Sequence, residues 1–389
     1  MYILGINIIK INKKEIIKEL NTFLNNNKNN LITTPNPEII LKAQKDEELF
    51  YILNKADLSI PDGIGLKFAG FALFKNIIRT TGADLLIELL KIAENQNKKV
   101  AIINWNKGLS SEKDILNALK NRFLNLKFAI FSVDKENIKN INIKNICKFN
   151  PEIVICSLGF PYQEKFLFHN LKKIKSAKIS IGIGGAFDFL TNRIKRAPKI
   201  LRIFGLEWFW RLLQQPIRIK RIFNAVVIFP IKFCKVHFIN FLFYRPNVSC
   251  MLYKKENKNY KILLVEKSEE KGHWQLPQGG TDSENIITAG ARELSEELGT
   301  DKFKIKNSFR NLYKYKFDKK INKRFDGYKG QKQGLVIAEF FGNDNDIKIN
   351  FWDHSNWKWV DSKNLIQEVH SLRKQSAKIF LDKFSKLKL

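Results

Sequence analysis

In the first half of the chain the apolar positions fall into short runs separated by longer mixed stretches. Residues 31–34 form an apolar run ending in a proline-rich turn, and residues 99–105 and 126–133 are rich in Val, Ile and Phe. Residues 153–158 and 179–183 repeat the pattern. Runs of this length suit strands buried on both faces. Residues 110–123 space their apolar side chains as a helix does. Strands alternating with helices predict an α/β fold with a mostly parallel sheet. In such sheets ligands sit at the carboxyl ends of strands, and the turns at Thr34, Gly159 and Gly184 all fall there.

Residues 199–244 follow a different pattern. Leu201, Phe204, Trp208, Phe209, Leu212 and Leu213 mix with Arg202, Arg211, Arg218, Lys220 and Arg221, and two apolar stretches follow at 223–231 and 238–244. Pro230, Lys232 and Lys235 interrupt them, which makes a poor membrane span. The segment reads as basic and amphipathic, lying on a membrane surface; the bland alternative is a helix packed on its own or the next domain. Beyond it, strand-like runs at 261–265, 335–341 and 357–360 and helices at 286–298 and 371–386 return to α+β character. The division predicted is therefore 1–198, 199–244 and 245–389.

The chain has 389 residues, enough for two or three domains with full cores. Its formal charge of +30 favours anionic partners. Lys, Ile and Asn are abundant throughout, so the charge alone does not argue for nucleic-acid binding. The four cysteines, Cys147, Cys156, Cys234 and Cys250, include no CxxC pair. Met1-Tyr2-Ile3-Leu4-Gly5 lacks a basic leader before an apolar run, so a reduced cytosolic setting is expected.

Asp62 lies in a Pro/Gly turn after an apolar segment, a place where loops carry chemistry, although such residues more often only form the turn. Thr34 and Asn36 alone would be turn or cap residues. The Gly182-Ile183-Gly184-Gly185 turn could admit a phosphate to backbone N–H groups but lacks the full dinucleotide fingerprint. In order, the chain reads Thr34-Pro35-Asn36-Pro37-Glu38, Ala56 to Gly63, Arg79 with Gly82-Ala83-Asp84, Leu158 to Glu164, Gly182 to Phe189, Lys195-Arg196-Ala197-Pro198 and Gly205-Leu206-Glu207-Trp208. This series resembles the WecG/TagA/CpsF glycosyltransferase family over about residues 1–222.

The resemblance implies a Rossmann-like core. It also implies inverting transfer of an N-acetylmannosamine-type sugar from a UDP-sugar to a polyprenyl-diphosphate-linked N-acetylglucosamine, with no metal or other cofactor in that domain. Asp62 would be the catalytic base, and Thr34 and Asn36 would orient sugar or acceptor. Arg79 would pair with phosphate, Gln163 would bond the donor, and the Gly184 turn would line its site. Arg211, Arg218 and Arg221 match the family's basic appendage, and a planar guanidinium suits phosphate; their bland reading is a solvated basic face. One departure stands out: Thr191-Asn192 replaces the family's usual Ala-Gly.

Downstream, Glu293, Glu296 and Glu297 follow Arg292 at spacings that share one helix face. Three gathered carboxylates repel one another, and oxygen-only ligands suit Mg²⁺ or Mn²⁺; most Glu-rich helices are merely solvated. The run Trp274-Gln275-Leu276-Pro277-Gln278-Gly279-Gly280, then Glu284, then Arg292 to Gly299 resembles the Nudix box. The resemblance implies an α/β/α domain. It makes Glu293, Glu296 and Glu297 the metal ligands, has Arg292 orient them and Glu284 brace the loop, and leaves Gly279, Gly280 and Gly299 structural. The loop from Gly279 to Glu284 is one residue short, and Gln278 takes the strict glycine position. Tyr244 to Val248, Gly330 to Gln333 and Trp357 to Val360 resemble the bacterial RNA 5′-pyrophosphohydrolase and dinucleoside polyphosphate hydrolase branch. There Asp353 replaces an extra glutamate as a candidate ligand, and Lys329 and Lys332 are candidate phosphate contacts.

The expectation is a bifunctional enzyme, cytosolic and peripheral to the inner face of the cell membrane. It would make cell-surface polysaccharide or a teichoic acid linkage, and hydrolyse a nucleoside-diphosphate-linked substrate with Mg²⁺. Two alternatives are a Nudix module that senses nucleotide without cleaving it, and RNA 5′-pyrophosphohydrolase as the main activity on 5′-triphosphate RNA. Homo-oligomers are compatible with all three.

Overall fold

The computed structural model describes the chain except residues 76, 79, 199, 202–205, 258, 318–326 and 388–389, and the side chains at 139 and 140. It divides into two compact units, Met1–Lys235 and Val236–Leu389.

The first unit opens with a two-stranded ribbon, β1 (Tyr2–Ile3) and β2 (Ile6–Asn7). Its main sheet holds β3 (Asn30–Thr33), β4 (Leu58–Ser59), β5 (Lys99–Trp105), β6 (Lys127–Val133), β7 (Ile153–Ser157) and β8 (Ile179–Gly182), in the order β4-β3-β8-β7-β5-β6. Every pairing in it is parallel. Successive residues alternate between two buried faces: Val100, Ile102, Ile153, Ile155, Ile179 and Ile181 on one, Ala101, Ile103, Val154 and Cys156 on the other. That double burial is why these strands read as continuous apolar runs. The helices between them are capped by their own sequence. Asn36 accepts from Ile39 N–H at the start of Pro37–Ala43, and Thr81 from Asp84 N–H at the start of Gly82–Asn95.

Helical structure continues through Pro216–Leu242, long and apolar enough to cross a membrane by length and composition. Pro230 does not break it as the sequence suggests. The proline enters at the first turn of Phe229–Cys234, and π-helical turns at Asn224–Ile228 and Lys235–Ile239 flank it. A proline at the first turn of a helical segment is tolerated because its missing N–H has least use there.

The second unit is built on a seven-stranded sheet. Its strands are β9 (Tyr244–Glu256), β10 (Asn259–Lys267), β11 (Trp274–Gln275), β12 (Gln278–Gly280), β13 (Phe303–Lys316), β14 (Gly330–Phe340) and β15 (His354–Asp361). The main path is β11-β10-β9-β14-β13, with β12 on β9 and β15 on β10. Only the β14–β9 pair is parallel among the described pairings. The helix Ile286–Leu298 covers one face, where Gly290 packs so closely that a Cβ would lie 2.6 Å from Val336 Cγ2. The helix Lys374–Ser385 covers the other through Ala377, Phe380 and Phe384.

Candidate functional site

The carboxyl ends of the first unit's strands open into a cavity of 830 Å³ lined by Thr34, Asn36, Asp62, Gln163, Gly184, Arg211, Arg218 and Arg221. Residues spread over nearly 190 positions of sequence therefore meet in one place, except Arg79, which lies outside the described residues.

Asp62 reaches the cavity after β4. Its backbone N–H bonds Pro35 O at 2.9 Å, and its Oδ2 accepts from Gly82 N–H at 3.4 Å. The carboxylate thus faces the positive end of the helix Gly82–Asn95. The turn needs Gly63, whose φ is +91°. Thr34 is buried and donates to Gly182 O at 2.9 Å, tying the end of β3 to that of β8. Asn36 is the helix cap described above. Gln163 is also buried, with its oxygen bonded to Gly184 N–H at 2.9 Å and Gly159 N–H at 3.2 Å.

Three guanidinium groups bring the positive charge. Arg211 lies over the Phe189 ring at 5.1 Å, and burial, opposed by Asp62, holds its pKa below the usual range. Burial, then Arg211 and Arg221, lowers Arg218 to about 10. Arg221 pairs with Glu38 at 2.6 Å and covers Phe160 at 5.3 Å. Arg211 and Arg218 are partly withdrawn from water beside the exposed Arg221, a cost that a bound anion would offset.

In the second unit Arg292 is a hub. Its Nε donates to Glu284 at 2.9 Å, one terminal nitrogen to Glu293 at 2.8 Å and Glu296 at 3.0 Å, and the other to Gly280 O at 2.8 Å. Glu293 and Glu297 are 4% and 5% exposed. Glu297 Oε2 accepts from Gln278 N–H at 3.2 Å and lies 3.1 Å from His354 Nε2. Room for Glu293 comes from Gly279, where a Cβ would sit 1.9 Å from Glu293 Oε2. Arg292 thus holds Glu284, Glu293 and Glu296, while Glu297 lies against Gln278 and His354; Glu293, Glu296 and Glu297 offer oxygen donors only, the chemistry that suits a hard divalent cation.

A third group of ligating side chains joins Glu270, His273 and His370. Glu270 lies 2.8 Å from His273 Nδ1 and 3.9 Å from His370 Nε2. The imidazoles stack 4.1 Å apart with planes 15° apart. Imidazole lone pairs lie in the ring plane, so near-parallel stacked rings do not aim at one point. Burial, then Lys267, lowers His273 to about 4, which leaves it neutral at pH 7.

Residues 1–240 match the Glycosyl transferase WecG/TagA/CpsF family. The chain belongs to that family. Residues 243–383 match the NUDIX domain, so the glycosyltransferase domain is fused to a Nudix hydrolase domain. An N-acetylglucosaminyldiphosphoundecaprenol N-acetyl-beta-D-mannosaminyltransferase of Bacillus subtilis (strain 168) is 34% identical over 196 residues, covering 50% of this chain and 75% of that protein. One of the same description from Staphylococcus aureus (strain MRSA252) is 30% identical over 240 residues, covering 60% and 91%. A solved C. elegans Ap4A hydrolase binary complex is 19% identical and covers 37% of this chain and 99% of that one, with a TM-score of 0.29. The Nudix assignment rests on the family match and the geometry of the box.

Both departures from the family patterns have a structural account. In the WecG-type domain Asn192 adopts φ 57°, the left-handed turn that glycine would supply and Asn tolerates. Thr191 Oγ1 adds a 2.9 Å bond to Ser110, which donates to Asp188 at 2.8 Å. In the Nudix domain the short loop closes through two consecutive left-handed residues, Asp282 (45°) and Ser283 (70°), and Glu284 N–H bonds Thr281 O at 2.6 Å. Gln278 spends its side chain on a buried amide network with Gln333 (2.8 Å) and Gln275 (3.3 Å).

Asp353 lies on the turn between Asn350 and His354, whose backbone is tied to the end of the Nudix helix: Asn350 N–H bonds Glu297 O at 3.3 Å. The imidazole against Glu297 belongs to the next residue, His354, which sequence reasoning passed over. Gly299 ends that helix at φ 62°. Lys329 and Lys332 are exposed. Sequence reasoning also missed Ser110, Asp188, Trp105 and Lys135 as site residues on the wall of the glycosyltransferase cavity; they come from separate strands, helices and turns, so no spacing along the chain links them.

Proposed function

We propose that the glycosyltransferase domain moves an N-acetylmannosamine-type sugar from a UDP-sugar to a polyprenyl-diphosphate-linked N-acetylglucosamine, inverting the anomeric centre. What carries this reading is the meeting of the Asp62 carboxylate and three arginines in a single cavity. Asp62 would take the proton of the acceptor hydroxyl as that oxygen attacks, forming the new glycosidic bond as the bond to UDP breaks. Arg211, Arg218 and Arg221, with Arg79, would hold the diphosphate charge that develops on the leaving UDP. Thr34, Asn36 and Gly184 would shape the sugar and donor site. The parallel sheet with helical connections supports a Rossmann-like core, and this domain needs no metal for the reaction described. The activity of the B. subtilis and S. aureus relatives supports the sugar and the acceptor.

The Nudix domain would hydrolyse a nucleoside-diphosphate-linked substrate. Glu293, Glu296 and Glu297, with Asp353, would hold Mg²⁺ or Mn²⁺, and the bound cation would supply charge neutralisation at phosphate and an activated water. Arg292 and Glu284 fix the carboxylates and loop, and Gly279 and Gly280 let the strand pass close to them. The exposed apolar side chains of Pro216–Leu242, Ile217, Ile219, Phe223 and Ile231 among them, beside Arg218, Lys220 and Arg221, support a peripheral site on the cytoplasmic membrane face, where a lipid-linked acceptor would be met.

The test is UDP release by the full chain from UDP-N-acetylmannosamine with a lipid-diphosphate N-acetylglucosamine analogue, in chelator to silence the Nudix domain. Acceptor-dependent release that falls by at least about 10²-fold in Asp62→Asn is expected. Release that persists undiminished in the variant would remove Asp62 from the role of base.

A further inference from the structure

The helix Tyr162–Asn170 starts at the carboxyl end of β7 and buries its first polar residues: Gln163 is 2% and Glu164 1% exposed. Gln163 Oε1 accepts from the N–H groups of Gly159 and Gly184. Both glycines are left-handed, at φ 76° and 53°, and turn the chain just after β7 and β8, which are neighbours in the sheet. One amide oxygen therefore pins together two turns that line the cavity.

That amide has one good orientation. Two buried N–H donors require the oxygen end, which sends Nε2 the other way. There it donates to Glu164 Oε1 at 2.8 Å, and it lies against Gly182, where a Cβ would be 2.8 Å from it. Turned over, the NH₂ group would face two N–H donors and the amide oxygen would face a carboxyl. Burying a donor or acceptor without its partner is costly. Glu164 spends one oxygen on this bond, while Oε2 is buried with no partner among the described residues. Burial pushes its carboxyl up to about 7. The titratable group facing it from the sheet is Cys156, whose thiol burial also raises. On the outer side of the helix, Lys165 and His169 pair with Asp46 and Glu48.

We propose that Glu164 is a positioning residue: by accepting from Gln163 it fixes the amide that holds the Gly159 and Gly184 turns in register at the donor site. Gln163 then acts through those backbone turns. The clamp stands on geometry alone; that the turns hold a donor rests on the glycosyltransferase reading.

Three full-length variants test it: Glu164→Ala removes the acceptor, Glu164→Gln keeps an amide oxygen in place, and the exchange Q163E/E164Q rebuilds the pair with donor and acceptor swapped. In the exchanged pair the new carboxylate can accept from both glycines and from the new amide. Two readouts are taken: amide hydrogen exchange in peptides spanning 157–162 and 182–188, and the KM for UDP-sugar against kcat. Glu164→Ala is expected to speed exchange in both peptides by about tenfold and to raise KM more than it lowers kcat. Glu164→Gln and the exchanged pair should keep most of the protection. Unchanged protection in Glu164→Ala overturns the proposal. If that variant fails to fold, the exchanged pair decides, and loss of protection there counts against the clamp. Wild-type chain with no turnover but the expected exchange pattern would sink the glycosyltransferase reading and leave the clamp standing.

Discussion

Replacing Gly279 by alanine isolates one contact in the Nudix domain. The added Cβ would lie 1.9 Å, 2.0 Å and 2.2 Å from Oε2, Cδ and Oε1 of Glu293. Non-bonded atoms need roughly 3.5 Å, so the carboxylate must retreat by about 1.5 Å. The strand has little freedom to move instead, because Gly279 pairs with Val248 of β9 between two other ladder pairs. A retreat of that size breaks the 2.8 Å bond from Arg292 to Glu293. It also exceeds the ~0.2 Å tolerance of a metal–oxygen bond, so one ligand is lost or badly placed. Metal affinity should fall at least about 10–100-fold, or roughly 1.4–2.7 kcal/mol. Mn²⁺ titration of the full chain followed by electron paramagnetic resonance measures this without knowledge of the substrate, and a far-UV circular dichroism spectrum checks that the fold survives. A folded Gly279→Ala chain that binds Mn²⁺ as tightly as the wild type would refute the assignment of Glu293 as a ligand.

Protonation of Glu164 should appear in stability. Burial raises its folded pKa to about 7 from the ordinary glutamate value of about 4.5, so burial imposes no charge penalty below that ordinary value, and stability is lost as pH rises through 7. The loss is on the order of 3 kcal/mol, and melting temperatures at pH 5 and pH 8 should differ less in Glu164→Gln than in the wild type; an identical difference would refute it. Asn192→Gly should change stability by only about 0.5 kcal/mol, since relief of the left-handed conformation is offset by the freer unfolded chain. A melting shift of many degrees would mean that the Asn192 side chain does more than form the turn. His354→Ala should weaken Mn²⁺ binding by about tenfold through the loss of support to Glu297, and an unchanged titration would show that the imidazole is not part of that support.

What the sequence reveals depends on whether a signal is local. The buried strands at 99–105 and 153–157 are visible because burial on both faces makes them continuous apolar runs. Glu293, Glu296 and Glu297 are visible because helix spacing alone places them together. The β13 strand is not, because its long, half-exposed course alternates lysines with aromatics and carries two register shifts. Pro230 signals a break, yet the wider helical turns around it depend on packing that no single residue announces. Gln163 is recognisable as a site residue, but the partners of its amide arise only where the turns after β7 and β8 come together. His354 stays hidden beside Asp353 because the sequence pattern points at a carboxylate, whereas the folded turn aims the imidazole.

The placement of β9 bears on how the chain emerges from the ribosome. The strand is complete at Glu256, and β10 and β12 follow soon after to cover one of its edges. The opposite edge is reserved for β14, which begins only at Gly330. At ~5–20 residues per second that edge stays open for about 4–15 seconds of synthesis. During this interval a central strand holding Val248, Cys250 and Leu252 is exposed to any other nascent strand nearby. A dense queue of ribosomes on one message would bring such strands side by side, so slow initiation or an early chaperone favours a soluble product.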